Sequence, residues 1–466
     1  MEFEGSASAS DEWHLLVHVC RRWRFLVFTS PRHLNLQLLC KIPGRSVKEM
    51  LDIWPQLPVY VEAIGFCITK EERDDCMAAL GLNLRVSGIR LEKTLRLGLE
   101  TVLPLMQSPF PALTHLTIRP ENSTVNQITN GMSLFFLGGS FLGGSSPPSL
   151  RVLDLASFPL PVLPELLLSA TNLVLLRYDD VPRYGYISPQ AMVTALSGLT
   201  QLESLSLTFK SPSYSYPGRS IQTTPLHART LLPALTYLRF QCDAEYMEDL
   251  VAQIETPMLQ SLMATIFRLE GLEVPQLSKF VRRADKLLLL NQAEVTFRNY
   301  KISLNISPEL HRIGPKTLMI SLLCLHWAFQ LSYFARFCES CLPTYSSFEH
   351  LLIYSPIDDT WVGDLYGPDS QLVELLRSFH AVKDLRLSRD VAAHITHVLR
   401  LLPVELVSGV LPALETVFVS TLGRSGRVEE AISEFADARQ LSGHPVSICD
   451  GEEQDHNILE DILEII

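Results

Sequence analysis

The motif L-x-x-L-x-L, with conservative substitutions, recurs along most of this chain, and a recurrence of that kind restricts the folds open to it. It stands at Val86-Ile89-Leu91, Leu113-Leu116-Ile118, Leu150-Leu153-Leu155, Leu173-Leu176-Tyr178, Leu202-Leu205-Leu207 and Leu235-Leu238-Phe240. A degenerate copy follows at Leu259-Leu262-Ala264. Later copies are Phe348-Leu351-Ile353, Val382-Leu385-Leu387 and Leu414-Val417-Val419. Helix-like runs lie between them, at Leu99–Met106, Met192–Leu196, Met247–Ile254, Leu372–Phe379 and Val391–Leu401. One strand and one helix have too little apolar surface to close a core alone, so neighbouring units must stack and share one interior.

The first copies start at 86, 113, 150, 173, 202 and 235, steps of 27, 37, 23, 29 and 33 residues. These steps bracket the leucine-rich-repeat period of roughly 20–29 residues, with longer members. The expected fold class is therefore α/β, a curved solenoid with parallel strands on a concave face and helices outside. Alternate strand residues point out of that face. In this register they include His115, Asp154, Arg177, Tyr237, Arg239, His350, Tyr354, Asp384, Arg386 and Phe418. The set is mixed in charge and rich in large side chains, which suits protein recognition, and these ten are the candidate target-binding residues. The register is least regular between Glu270 and Gly314.

Loops and ends are readable from composition. The glycines, serines and prolines of 138–148 read as a flexible insertion, and Lys210–Pro225 as a second, polar one. A helix is expected over Arg427–Leu441, closed by Gly443 and Pro445, with a last strand at Val446–Ile448. The remaining 450–466 form an acidic amphipathic tail with Ile458, Leu459, Ile462, Leu463 and Ile466 on one stripe.

Near the other end, Trp13, Leu16, Cys20, Trp23 and Val27 recur at steps of three and four, on one face of a helix. Arg21, Arg22 and Arg24 crowd its polar edge, while Leu15, Val19 and Leu26 widen the apolar surface. Such a helix is buried in a core or docks on a partner.

The stretch LVHVCRRWRFLVFTSPRHLNLQL resembles the second half of the F-box in fungal F-box-like proteins with leucine-rich repeats. The likeness continues through Met50–Pro58, Pro109–Ile118 and Ala438–Ile448, almost the whole chain. The resemblance implies a substrate-recognition subunit of an SCF-type (Skp-cullin-F-box) ubiquitin ligase. Its Skp-type adaptor would be held through Leu16, Val19, Trp23 and Leu26, and an unknown protein target on the repeat face. The Leu-Pro-x-Glu-type first helix of an F-box does not stand before Asp11, so the chain as written is expected to bind the adaptor weakly or not detectably. The alternative is a leucine-rich-repeat scaffold without ligase association. The expected organisation is a disordered 1–10, a partial F-box-like segment over 11–45, the solenoid over 46–449 and the tail over 450–466.

Composition narrows the remaining choices. Apolar residues make up 47% and charged residues 19%, a globular balance. A net charge of −12 disfavours nucleic acid as partner. Nine cysteines in so long a chain fit reduced thiols in cytoplasm or nucleus better than a disulfide framework. Leu318–Ala335 carries no Asp, Glu, Lys or Arg, but His326, Gln330 and two serines interrupt it. It reads as a strand near Leu318–Leu322 and a buried helix from about Leu325 to Cys338, so no membrane span is expected. Cys338-x-x-Cys341 lacks a second ligand pair, and His394 with His397 lacks the glutamate of a metalloprotease motif. The two histidines read as exposed positions on a helix. No enzyme activity, cofactor or metal is expected.

Overall fold

The computed structural model describes residues 19–29, 37–42, 44, 46–53, 57–65, 69–94, 96–121, 140–157, 160, 163–182, 185–210, 229–267, 274–284, 286–287, 290, 292–298, 301–308, 316–323, 334–339, 348–355, 371–402, 404–419 and 426–450. The chain is mixed α/β, and parallel pairing dominates its sheet. It divides into two compact units, Met1–Leu235 and Thr236–Ile466.

Unit 1 orders its sheet as β1 (Leu38–Ile42), β2 (Val59–Ile64), β3 (Val86–Thr94), β4 (His115–Pro120), β5 (Val152–Ala156), β6 (Leu175–Val181) and β7 (Ser204–Phe209), each parallel to the next. Among the described residues the first strand of the array is β1, which starts at the last residue of the stretch compared with an F-box. The register aligns the motif: Leu116 stands beside Leu153, Leu153 beside Leu176, and Leu176 beside Leu205. All four are fully buried. Tyr178 takes a leucine position in the next file and is equally buried, and its hydroxyl accepts a hydrogen bond from the Leu160 N–H at 2.9 Å. That bond satisfies the one polar atom a leucine would not have brought inside.

One backbone device repeats at the head of successive strands. Two consecutive N–H groups donate to one carbonyl of the preceding unit: Arg151 and Val152 to Thr114, Val174 and Leu175 to Arg151, Glu203 and Ser204 to Val174. Unit 2 repeats it, with Lys383 and Asp384 donating to Glu349, and Glu415 and Thr416 to Lys383. The connections follow local sequence rules. Helix α1 (Lys70–Leu80) opens with a capping box in which Thr69 and Glu72 each accept the other's backbone N–H. Helix α2 (Pro189–Leu196) starts on the Ser188 hydroxyl with proline in its first turn.

Unit 2 orders its sheet as β8 (Tyr237–Asp243), β9 (Ser261–Phe267), β12 (Thr317–Leu323), β11 (Lys301–Ser307), β10 (Gln292–Arg298), β13 (His350–Tyr354), β14 (Asp384–Leu387), β15 (Thr416–Val419) and β16 (Ser447–Asp450). The expectation of uniformly parallel strands fails here. β11 runs antiparallel to both β10 and β12, so 292–323 is an up-down-up meander set into the array. Two-residue alternation runs along both arms of the hairpin. Ala293, Val295 and Phe297 on one arm, with Ile302, Leu304 and Ile306 on the other, are buried in mutual register. Both outer strands of the meander run with the array, so β12 pairs parallel with β9 and β10 parallel with β13.

Other expectations meet mixed outcomes. Leu238, Leu262, Leu351, Leu385 and Val417 are fully buried. The strand near Leu318 is β12; residues 334–339 are helical with Phe334 and Cys338 buried, and 324–333 lie outside the described residues. Among the described residues, no helix is long and apolar enough to cross a membrane. The helix expected over Arg427–Leu441 spans Gly426–Leu441, and β16 follows it. Of the insertion expected over 138–148, residues 138–139 lie outside the described residues, and in the rest Phe141 and Leu142 are buried while Gly143 and Gly144 turn the chain at positive φ. His394 and His397 are half-buried on the helix Arg389–Arg400, not exposed, because that helix packs broadly. Residues 1–10, 211–225 and 451–466 lie outside the described residues.

Candidate functional site

Period-two alternation gives each unit a sheet face whose side chains are not part of the leucine core. In unit 1 this face is a ladder of opposed charges. Arg90 reaches Glu62 at 3.5 Å on one side and Glu92 at 3.0 and 3.1 Å on the other. Arg119 donates from Nε and Nη2 to the two oxygens of Asp154, at 3.1 and 3.0 Å, and Arg177 adds a third contact at 3.3 Å. Asp179 lies 3.9 Å from Arg119 and 3.8 Å from Arg177, and accepts the Ser206 and Thr208 hydroxyls at 2.7 and 3.3 Å. Glu62, Asp154 and Asp179 each have a partner on a neighbouring strand, while Glu92 pairs with Arg90 along its own strand, and these contacts fix the pattern of charge on the face.

Unit 2 carries a different surface. His350 and Asp384 pair at 2.9 Å, and the Arg386 guanidinium lies 4.9 Å above the ring of Phe418. The Tyr237 hydroxyl is 3.2 Å from the Met263 sulfur. Across the meander, Gln292, Glu294, Thr296 and Arg298 stand opposite Ser307, Asn305, Ser303 and Lys301 on the same face. Ser303 and Ser321 hydroxyls meet at 2.8 Å. Burial, then the charges of Arg298 and Arg239, push the Lys301 ammonium down to about 8.

The ten expected face residues are thus divided. His115, Asp154 and Arg177 belong to unit 1; Tyr237, Arg239, His350, Tyr354, Asp384, Arg386 and Phe418 belong to unit 2. Asp154 joins Arg177, His350 joins Asp384, and Arg386 joins Phe418. Asp154 is buried, its oxygens held by arginines, so it organises the face and is not itself presented. His115 is exposed beside the Thr114 hydroxyl, 2.8 Å away. Glu62, Arg90, Glu92, Arg119 and Asp179 went unread. The signal for Arg119 and Asp179 was alternation continued one step past the hexamer motif.

The N-terminal helix α3 (Arg21–Thr29) presents apolar side chains outward, with Trp23, Phe25 and Leu26 48, 67 and 51% exposed, and Val19, ahead of the break at Cys20, is 64% exposed. The single helix expected over Trp13–Val27 is interrupted at Cys20, which is not helical. Trp13 and Leu16 lie outside the described residues. Among the described residues no group of three or more His, Cys, Asp or Glu side chains is placed to hold a metal ion. Neither protein-family models nor curated proteins match the chain.

Proposed function

We propose that the chain is a non-enzymatic protein-binding subunit built as an irregular leucine-rich-repeat solenoid, holding a protein target on its sheet faces. The supporting observation is the split alternation. On β5, β6, β13 and β14 one side is a file of buried, mostly leucine side chains and the other carries polar, charged and aromatic side chains paired across strands. Rigid displays of charge of both signs give selectivity in protein association more than raw affinity.

The adaptor role in an SCF-type ubiquitin ligase, in cytoplasm or nucleus, rests on the likeness of the Leu16–Leu38 stretch to an F-box. The outward-facing Val19, Trp23 and Leu26 support it, since exposed aromatic and aliphatic clusters on a helix mark docking surfaces. A Skp-type adaptor is tested by pull-down with three chains: the native one, one with a Leu-Pro-x-Glu-type helix placed ahead of Asp11, and that chain carrying Trp23→Ala. The second should bind and the third should not. Failure of the second leaves the scaffold reading in place of the ligase one. The target face is tested by quantitative capture with Arg239→Glu/Arg386→Glu. Partners recovered by the native chain should be depleted, most strongly at low salt.

A further inference from the structure

Three carboxylates on the sheet faces are buried to the same degree, and two of them are answered by cations. Glu62, Asp154 and Glu294 are 9, 8 and 9% exposed. Glu62 meets Arg90, and Asp154 meets both Arg119 and Arg177. Glu294, on β10, has no ion pair among the described residues, and its one hydrogen bond comes from the Thr296 hydroxyl at 3.4 Å. The polar side chains beside it add acceptors. Asn305 is its direct partner on β11, and Gln292 stands two residues before it on the same face. Asn305 Oδ1 and Gln292 Oε1 are both buried without a hydrogen-bond partner among the described residues. Apolar side chains flank the row: Met319 stands beside Asn305, and Leu352 beside Glu294. Leu352 is buried and Met319 half-buried. The cations of this face are displaced from the row's centre. Arg298 and Lys301 lie four residues along their strands from Glu294 and Asn305, and Arg386 is two strands away, over the ring of Phe418. A buried acceptor without a donor costs free energy, and a buried carboxylate without a cation costs more.

We propose that Gln292, Glu294 and Asn305 form a binding site for one arginine side chain of the protein target. A guanidinium carries five N–H donors in one plane and no acceptor. Two of them pair with the two oxygens of a carboxylate, which leaves others for the amide oxygens on either side. An ammonium brings three donors on a point and lacks that fork. The arginine stem is apolar, and Met319 and Leu352 offer it apolar surface at both ends of the row. An aliphatic anchor in the same place would cover all three acceptors and satisfy none.

The site rests on the sheet face being the target-holding surface. Its test uses the full chain and fluorescein-labelled random heptapeptide pools fixed at one central arginine, lysine or citrulline, with binding read by anisotropy. Citrulline keeps the shape of arginine and removes its charge. The arginine pool should bind at least about tenfold more tightly than either other pool, and Nα-acetylarginine methylamide should compete. Glu294→Gln should lose that preference. Its urea midpoint should be no lower than that of the native chain, because the change removes a buried charge that has no partner to lose. Gln292→Ala/Asn305→Ala, which keeps the carboxylate, should weaken the arginine pool and retain cooperative melting. Equal binding of the arginine and citrulline pools overturns the site. Equal binding of the arginine and lysine pools also overturns it, since attraction of any cation to a chain of net charge −12 would then suffice. So does a preference unchanged in Glu294→Gln, or a lowered midpoint there, which would give Glu294 a partner inside the chain. If any of these occurs while Arg239→Glu/Arg386→Glu still depletes captured partners, the inference fails alone. If capture ignores those reversals, the reading beneath it fails.

Discussion

Arg119 grips Asp154 with both arms of its guanidinium, from a strand that starts 37 residues earlier in the chain. The contact crosses between neighbouring strands of unit 1, and Arg177 on the far side of Asp154 completes it. Charge on this face is therefore shared between units and does not belong to any one of them.

Removing the carboxylate should reveal that sharing. Asp154→Ala leaves two guanidiniums without their common partner on a buried site. Breaking one member of a fully buried pair costs about 3–5 kcal/mol, and the partial exposure of both arginines reduces this to roughly 1–3 kcal/mol. Urea unfolding should show the loss as a lower midpoint with unchanged slope, and the Asp154→Ala/Arg119→Met double variant should recover part of it.

Gly88 has a packing role on the same face. Its strand partner Tyr60 lays its ring across the glycine, so a Cβ there would collide with Cδ2 and Cε2 of the ring. Gly88→Val should drive the ring off the sheet and cost about 1–3 kcal/mol by overpacking. The double variant Gly88→Val/Tyr60→Ala should be less unstable than the sum of its parts, as thermal melting would show.

Leu205, on β7, continues the leucine file of unit 1 and is fully buried. Leu205→Ala should destabilise the fold by about 2–5 kcal/mol through lost burial and an unfilled cavity. A cost below about 1 kcal/mol would mean that the neighbouring units close over the gap.

Lys301 should give the stability a characteristic dependence on alkaline pH. Burial and its cationic neighbours place its folded pKa at about 8, against an ordinary value of 10.5. Below pH 8 the ammonium is charged in both states and its penalty is fully present. Between pH 8 and 10.5 the unfolded chain holds a proton that the folded chain has released, so stability rises with pH across that window. Lys301→Met should remove this rise, relative to the native chain, and stabilise the protein at pH 7. Denaturant midpoints at pH 7, 8, 9 and 10 would test it, and parallel curves for the two chains would refute the perturbed lysine.

What the sequence disclosed follows the strength of its periodic signals. Leu116, Leu153, Leu205, Leu238, Leu351 and Leu385 stand out because a six-residue pattern recurs around each and only burial accounts for it. The meander did not stand out. Ala293, Val295, Phe297, Ile302, Leu304 and Ile306 alternate cleanly, but a hairpin and a pair of short parallel strands write the same alternation, and only long-range pairing separates them. The burial of Phe141 and Leu142 was hidden by the glycines beside them, Gly143 and Gly144, which turn the chain. Of the candidate face, the outward positions were readable from alternation. Their partnerships were not, because Arg119 meets Asp154 through a register that depends on the length of the loop between their strands.

The meander also dictates an order of assembly. In a plain stack each new strand has its template ready the moment it is made. Here β9 has β8 on one side from the start, but its partner on the other side is β12, which starts 56 residues later at Thr317, after both arms of the hairpin have been laid down. Closing so long a segment is entropically slow relative to pairing adjacent units. The C-terminal strands from β13 onward dock on β10, not on β9. A chain emerging from the ribosome therefore cannot zip from end to end through unit 2. Until β12 is in place, the edge of β9 opposite β8 has no strand to pair with, and an open edge of that kind is a template for another chain.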